Sequence, residues 1–153
     1  MTFEESIDVD SGQVDLFWLS QDYGRRLGWD PFLQSAQLLD NAAEAAMGVR
    51  ALCVSHGGWE METEYVSFNP PQTTAVKMTR GPWFLESFAG SWRFEELAPR
   101  QTRVHFAYHL QAQPRWLARL LTPILMKVFL SETRNRLQAL RVAAARVARG
   151  NDT

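Results

Sequence analysis

Residues 59–110 alternate apolar and polar side chains almost throughout, and residues 114–149 then switch to a helical repeat with no glycine before Gly150. Trp59, Met61, Thr63 and Tyr65 interleave with Glu60, Glu62 and Glu64. Thr74, Val76 and Met78 do the same with Ala75, Lys77 and Thr79, and Trp92 and Phe94 with Ser91, Arg93 and Glu95. Val104, Phe106, Tyr108 and Leu110 complete the series against Arg103, His105, Ala107 and His109. Period two, with turns at Asn69-Pro70-Pro71-Gln72 and Ala98-Pro99-Arg100-Gln101, predicts an antiparallel meander with one apolar and one wet face. A single sheet has to cover its apolar face, and only the terminal helix is long enough, at about 1.5 Å per residue. One helix does not fill the trough of a strongly bent sheet. An elongated apolar pocket between the two is therefore expected.

The flanks are less regular. Phe3, Glu5, Ile7 and Val9 share one face of an extended segment, a first strand. Asp10 and Gln13 have the spacing of a capping box ahead of a helix carrying Val14, Phe17 and Trp18. Ser20–Leu27 reads as a second short helix closed by Gly28, with Trp29-Asp30-Pro31-Phe32 ending it because the residue before proline avoids the helical region. Gln34–Leu39 and Met47–Val54 read as further strands, while Asn41–Ala46 has the composition of a helix. In the long helix Leu117, Leu120, Leu121, Ile124, Leu125 and Val128 share a broad face, and Pro123 should kink or split it. Trp116, Met126 and Leu130 fall off that stripe. On a straight helix they would form an apolar patch beside Arg119, Lys127 and Arg134, suited to a membrane surface or a homodimer; a kink would bury them.

The 153 residues, 46% of them hydrophobic, suffice for one domain with a real core, taken as 1–153. One cysteine, Cys53, cannot form an internal disulfide, and no leader-like apolar run is visible, so a cytoplasmic location is the expectation. Net charge is -1 but segregated: residues 1–98 hold 15 acids and 6 bases, residues 99–153 hold 10 bases and 2 acids. A basic helix docked on an acidic sheet accounts for this. No basic run is interleaved with stacking aromatics, so nucleic acid is not an expected partner.

The order of these pieces resembles the START-like, or SRPBCC, helix-grip superfamily, in particular its polyketide cyclase/dehydrase-like branch. The resemblance runs from about Phe3 to Val147. It rests on Trp29-Asp30-Pro31-Phe32 after paired short helices, Asn69-Pro70-Pro71 between mid-sheet strands, and Ser91-Trp92-Arg93-Phe94-Glu95 followed by Thr102-Arg103-Val104. Glu132-Thr133-Arg134-Asn135-Arg136-Leu137 in the last helix completes it. It implies an α+β helix-grip fold, a curved antiparallel sheet wrapped around a long C-terminal helix with two short helices after the first strand. It also implies a cavity for hydrophobic molecules such as lipids, quinones or polyketides. One activity does not follow, since scaffolds host many.

Candidate chemistry is sparse. His105 and His109, four apart on a strand, are separated by about 13 Å and cannot share one metal ion. Glu60, Glu62 and Glu64 fall on the wet face, where Lys77 offsets their repulsion. Cys53 and His56 lack an orienting third group for nucleophilic catalysis. No metal or cofactor is expected. The inward set is the candidate ligand-binding site: Trp59, Met61, Tyr65, Met78, Trp92, Phe94, Phe106 and Tyr108 from the sheet, with Leu117, Leu120, Leu121 and Ile124 from the helix. Arg80, in phase with Met78, would bind a carboxylate or enolate if it turned inward, or else snorkel at the rim. Three functions fit. The first is a binder or carrier of a small hydrophobic molecule. The second is a cyclase or dehydratase using Tyr65, Arg80 or Tyr108. The third is a partner-binding protein of the coenzyme-Q-associated or ribosome-associated kind, working through its basic helix.

Overall fold

A computed structural model describes residues 2–151, without the Asn151 side chain. Asp152, one of the two acids of the basic segment, lies outside the described residues. Strand β1 (Thr2–Val9) is followed by helices α1 (Gln13–Gln21) and α2 (Tyr23–Arg26). Strands β2 (Leu33–Leu38), β3 (Arg50–Ser55), β4 (Glu60–Asn69), β5 (Thr73–Arg80), β6 (Leu85–Ala98) and β7 (Gln101–Ala112) come next, then helix α3 (Arg115–Asn151). The seven strands form one antiparallel sheet in the order β1-β7-β6-β5-β4-β3-β2. The meander thus closes by bringing the first strand onto the last, with Phe3 opposite Tyr108 and Val9 opposite Thr102. This is the helix-grip α+β fold.

Alternation governs the sheet as its sequence predicts. On β7 Thr102, Val104, Phe106, Tyr108, Leu110 and Ala112 are all buried, and on β6 Phe88, Gly90, Trp92 and Phe94. The opposite face carries the charges. Arg103 makes a two-pronged contact with Asp8, at 2.7 and 3.2 Å, and His105 bridges Glu4 and Glu95 at 3.1 and 3.0 Å. Glu64 pairs in register with Lys77, and Glu62 faces Arg50 and Thr79. A bulge between Tyr65 and Ser67 changes the phase of β4, so that Phe68 packs edge-on against both Tyr65 and Phe17.

Three local expectations need correction. Gly12, not Asp10, is the N-cap of α1, and Gln13 donates instead to the Phe94 carbonyl at 2.8 Å. Ser20 and Gln21 belong to α1, and the break falls at Asp22, whose side chain caps α2 through Gly24 N at 2.9 Å. Asn41–Ala46 forms no helix, because Asp40 and Asn41 both adopt positive φ (56° and 59°), which ends regular structure after β2.

Helix α3 runs unbroken through Pro123. Its core contacts come from Phe129, Thr133, Arg136, Leu137, Leu140 and Ala144, all buried. The stripe read from sequence lies on another side of the helix, roughly 140° away at 3.6 residues per turn. Leu120 and Ile124 on that stripe are 67% and 59% exposed.

Candidate ligand cavity

The concave face of the sheet, α2 and the middle of α3 border a partly open cavity of about 470 Å³. That volume lies within the range of sites for small organic ligands. Its deep wall is aromatic. Phe106 packs on Trp92 at 4.5 Å and on Tyr108 at 4.6 Å between ring centroids, and Phe129 from α3 closes on Tyr108 at 5.4 Å. Met61, Val76, Phe88 and Leu125 supply further apolar lining, and half-exposed Trp59 and Val128 stand on the outer side.

Of the residues proposed from sequence, Trp59, Met61, Tyr65, Trp92, Phe106 and Tyr108 line this cavity. Met78, Arg80, Phe94, Leu117, Leu120, Leu121 and Ile124 are not part of the lining. Phe94 is directed under α1, its ring 5.5 Å from Phe17. Arg80 is exposed at the end of β5. The four α3 residues precede the stretch Leu125–Arg136 in which the helix meets the cavity.

The polar groups beside the cavity come from α2 and from two of the segments that carry the family resemblance, Trp29-Asp30-Pro31-Phe32 and Glu132–Leu137. Asp30, 3% exposed, sits between two arginines: Arg26 Nε donates to its Oδ2 at 2.9 Å, and Arg136 Nε lies 3.0 Å from the same oxygen. The second approach is off the hydrogen-bond axis, so Arg136 Nε is buried without a hydrogen-bond partner. The other carboxylate oxygen accepts from Phe32 N at 3.0 Å. Arg26 Nη1 reaches the Ser20 carbonyl at 3.0 Å, and Arg136 Nη1 donates to the Tyr108 hydroxyl at 2.8 Å. Both guanidinium groups also lie over aromatic faces, Arg136 5.1 Å from the Phe32 ring centre and Arg26 5.3 Å from Trp29.

Burial alone would raise the Asp30 carboxyl, but Arg136 and Arg26 beside it outweigh that and hold it below the usual carboxylate range. Burial pushes up the phenols of Tyr23, Tyr65 and Tyr108 and the Cys53 thiol, so all four stay protonated near neutrality. Tyr65 donates to Gln21 Oε1 at 2.7 Å, and Gln21 in turn donates to Ser20 Oγ, which donates to the Phe17 carbonyl. Sequence reading passed over Arg26, Asp30 and Arg136 as chemistry. The available signal was the Arg26/Asp30 spacing of four, but only the tertiary fold adds Arg136 from over a hundred residues away.

Among the described residues no group of three or more His, Cys, Asp or Glu side chains is placed to hold a metal ion. No helix among them is long and apolar enough to cross a membrane.

Comparison with solved structures gives the same architecture at low identity, which speaks to the fold alone. A START superfamily protein from Mycobacterium smegmatis superposes with a TM-score of 0.79 at 9% identity, over 95% of this chain and 98% of that one. The di-domain ARO/CYC protein StfQ of the steffimycin biosynthetic pathway gives 0.78 at 14% identity, over 96% of this chain and 52% of that one. Norcoclaurine synthase from Thalictrum flavum, in complex with dopamine and hydroxybenzaldehyde, gives 0.70 at 9% identity, over 95% and 87%. No curated protein matches. Residues 1–145 match the family described as polyketide cyclase / dehydrase and lipid transport, and with nearly the whole length covered the chain belongs to that family.

Proposed function

We propose that this protein, taken as one START-like unit over residues 1–153, binds and carries a small hydrophobic molecule in the cavity between sheet and α3. The observation that supports this reading is the cavity itself, about 470 Å³ of mostly apolar space among rings that could otherwise have closed on one another. An apolar hollow of this size, open to solvent past Trp59 and Val128, gains free energy when an apolar guest displaces water from it. The test is binding of a neutral fluorescent dye such as Nile red. Val76 lines the cavity, and Val76→Trp should lower dye affinity about tenfold or more by filling it. Unchanged affinity in a folded Val76→Trp variant would count against the reading. Native mass spectrometry of the purified protein should also reveal a retained apolar molecule.

The carrier reading gives the exposed half of α3 a task. Trp116, Leu120 and Ile124 are 74%, 67% and 59% exposed, with Arg115, Arg119 and Lys127 interspersed on the same turns. Exposed apolar side chains among cations suit contact with an anionic lipid surface, where a carrier would load and unload.

A second reading, a cyclase or dehydratase, draws on the Arg136–Tyr108 pair at 2.8 Å inside the cavity. A phenol polarised by a guanidinium is a competent proton donor to an enolate or carbonyl oxygen. Tyr108→Phe separates the two: a carrier keeps most of its affinity, and an enzyme relying on that hydroxyl loses turnover.

A further inference from the structure

The buried cluster at the inner side of the cavity contains two guanidinium groups and one carboxylate. Both Arg26 and Arg136 line the cavity, they are 7% and 5% exposed, and both lean on the single Oδ2 of Asp30. One carboxylate neutralises one arginine, so about one positive charge is left uncompensated in a water-poor site. The phenols and thiol around the cluster are held protonated by burial and supply no negative charge. Glu132 also lines the cavity, but it is only half-buried and forms no ion pair with either arginine among the described residues.

Hydrogen-bonding capacity is left over in the same place. Arg26 engages Asp30 through Nε and Ser20 through Nη1, and Arg136 engages Tyr108 through Nη1. Arg136 Nε is buried without a hydrogen-bond partner, and neither Nη2 has one among the described residues. Arginine does not escape such a position by losing its proton, as a lysine would. Two buried guanidinium groups sharing one carboxylate are expensive, and a second carboxylate is the group whose geometry matches their remaining donors.

We infer that the cavity takes an amphiphile with an apolar body and a carboxylate head, the head seated against Arg136 and Arg26 and the body against Phe106, Phe129 and Met61. This rests on the cavity-binding reading above and sharpens it. A seated carboxylate would complete a four-membered charge cluster of two cations and two anions. The Tyr108 hydroxyl, which already accepts from Arg136, has its own proton available for a head-group oxygen.

The experiment is calorimetric binding with two matched pairs: dodecanoate against dodecanol, and 2-naphthoate against 2-naphthalenemethanol. In at least one pair the acid should bind about tenfold tighter than its alcohol, the yield of one or two charge-assisted hydrogen bonds. Arg136→Gln leaves Asp30 balanced by Arg26 alone, and the preference for the acid should vanish while the alcohol still binds. Arg136→Lys keeps the charge and should retain part of the preference, which guards against a Gln variant that fails to fold. Equal or tighter binding of the alcohols by the wild-type protein overturns the head-group assignment and leaves the cavity-binding reading standing. Failure of all four probes to bind, with Nile red also excluded, overturns that reading itself.

Discussion

The two halves of α3 face opposite problems, and the first, residues 115–128, is the richer in large apolar side chains. Beyond Val128 the helix puts Phe129, Leu137, Leu140 and Ala144 into the core and delivers Arg136 to Asp30. Before Phe129 it carries Trp116, Leu120, Ile124 and Val128, all exposed by half or more except Val128 at 48%. Composition alone would bury the first half, so what decides is what stands opposite. The second half meets β1 and β7, with Arg134 on Glu5, Arg136 on Tyr108 and Phe129 on the Tyr108 ring, while of the first half Leu125 and Val128 reach the cavity. Hydrophobicity buried against a partner contributes stability, and the same hydrophobicity left facing water is free to serve contact.

The sharpest way to break this contrast is at Asp30, which ties the inner half of α3 to α2. Asp30→Asn keeps the shape and strands two buried guanidinium groups, so a loss of about 3–5 kcal/mol is expected in urea unfolding. A loss near zero would mean the cluster is not held by charge. Next in size, Leu140→Ala should cost about 2–5 kcal/mol because the residue is fully buried. Leu120→Ala in the outer half should stay within about 0.5 kcal/mol. Similar costs at the two sites would erase the distinction between the halves.

Acidity tests the cluster from another side. The folded Asp30 carboxyl is held below its ordinary value, so its stabilising contribution is present above the ordinary range and lost as pH falls through the folded value. The gap in stability between wild type and Asp30→Asn should therefore be full at about pH 6 and shrink toward about pH 3. A gap independent of pH would point to packing instead. The smallest effect on folding, and the most informative about function, belongs to the double change Trp116→Ser with Leu120→Ser. It should leave the unfolding midpoint nearly unchanged yet reduce sedimentation with phosphatidylglycerol vesicles several-fold. Unaltered vesicle binding would overturn the proposal that this half of the helix meets a lipid surface.

Much of the architecture was legible because alternation is a local property. A strand buried on one face has to repeat every two residues, so Trp92, Phe94, Phe106 and Tyr108 announce their side of the sheet. The same logic recovered the charged outer face at His105 and Glu64. It gave six of the cavity's lining residues and missed the helical contribution. Periodicity finds an apolar stripe but not which stripe meets the sheet, and α3 has two.

The amino-acid order by itself determined an antiparallel meander followed by one long helix, because those periods are written residue by residue. Tertiary structure alone decided which side of that helix is covered, where space remains beneath it, and that Arg136 joins Arg26 on one carboxylate. The reason is range. Side-chain alternation is set by the geometry of adjacent peptides, whereas a buried charge cluster depends on groups from distant segments arriving at one point, and no local pattern records that meeting.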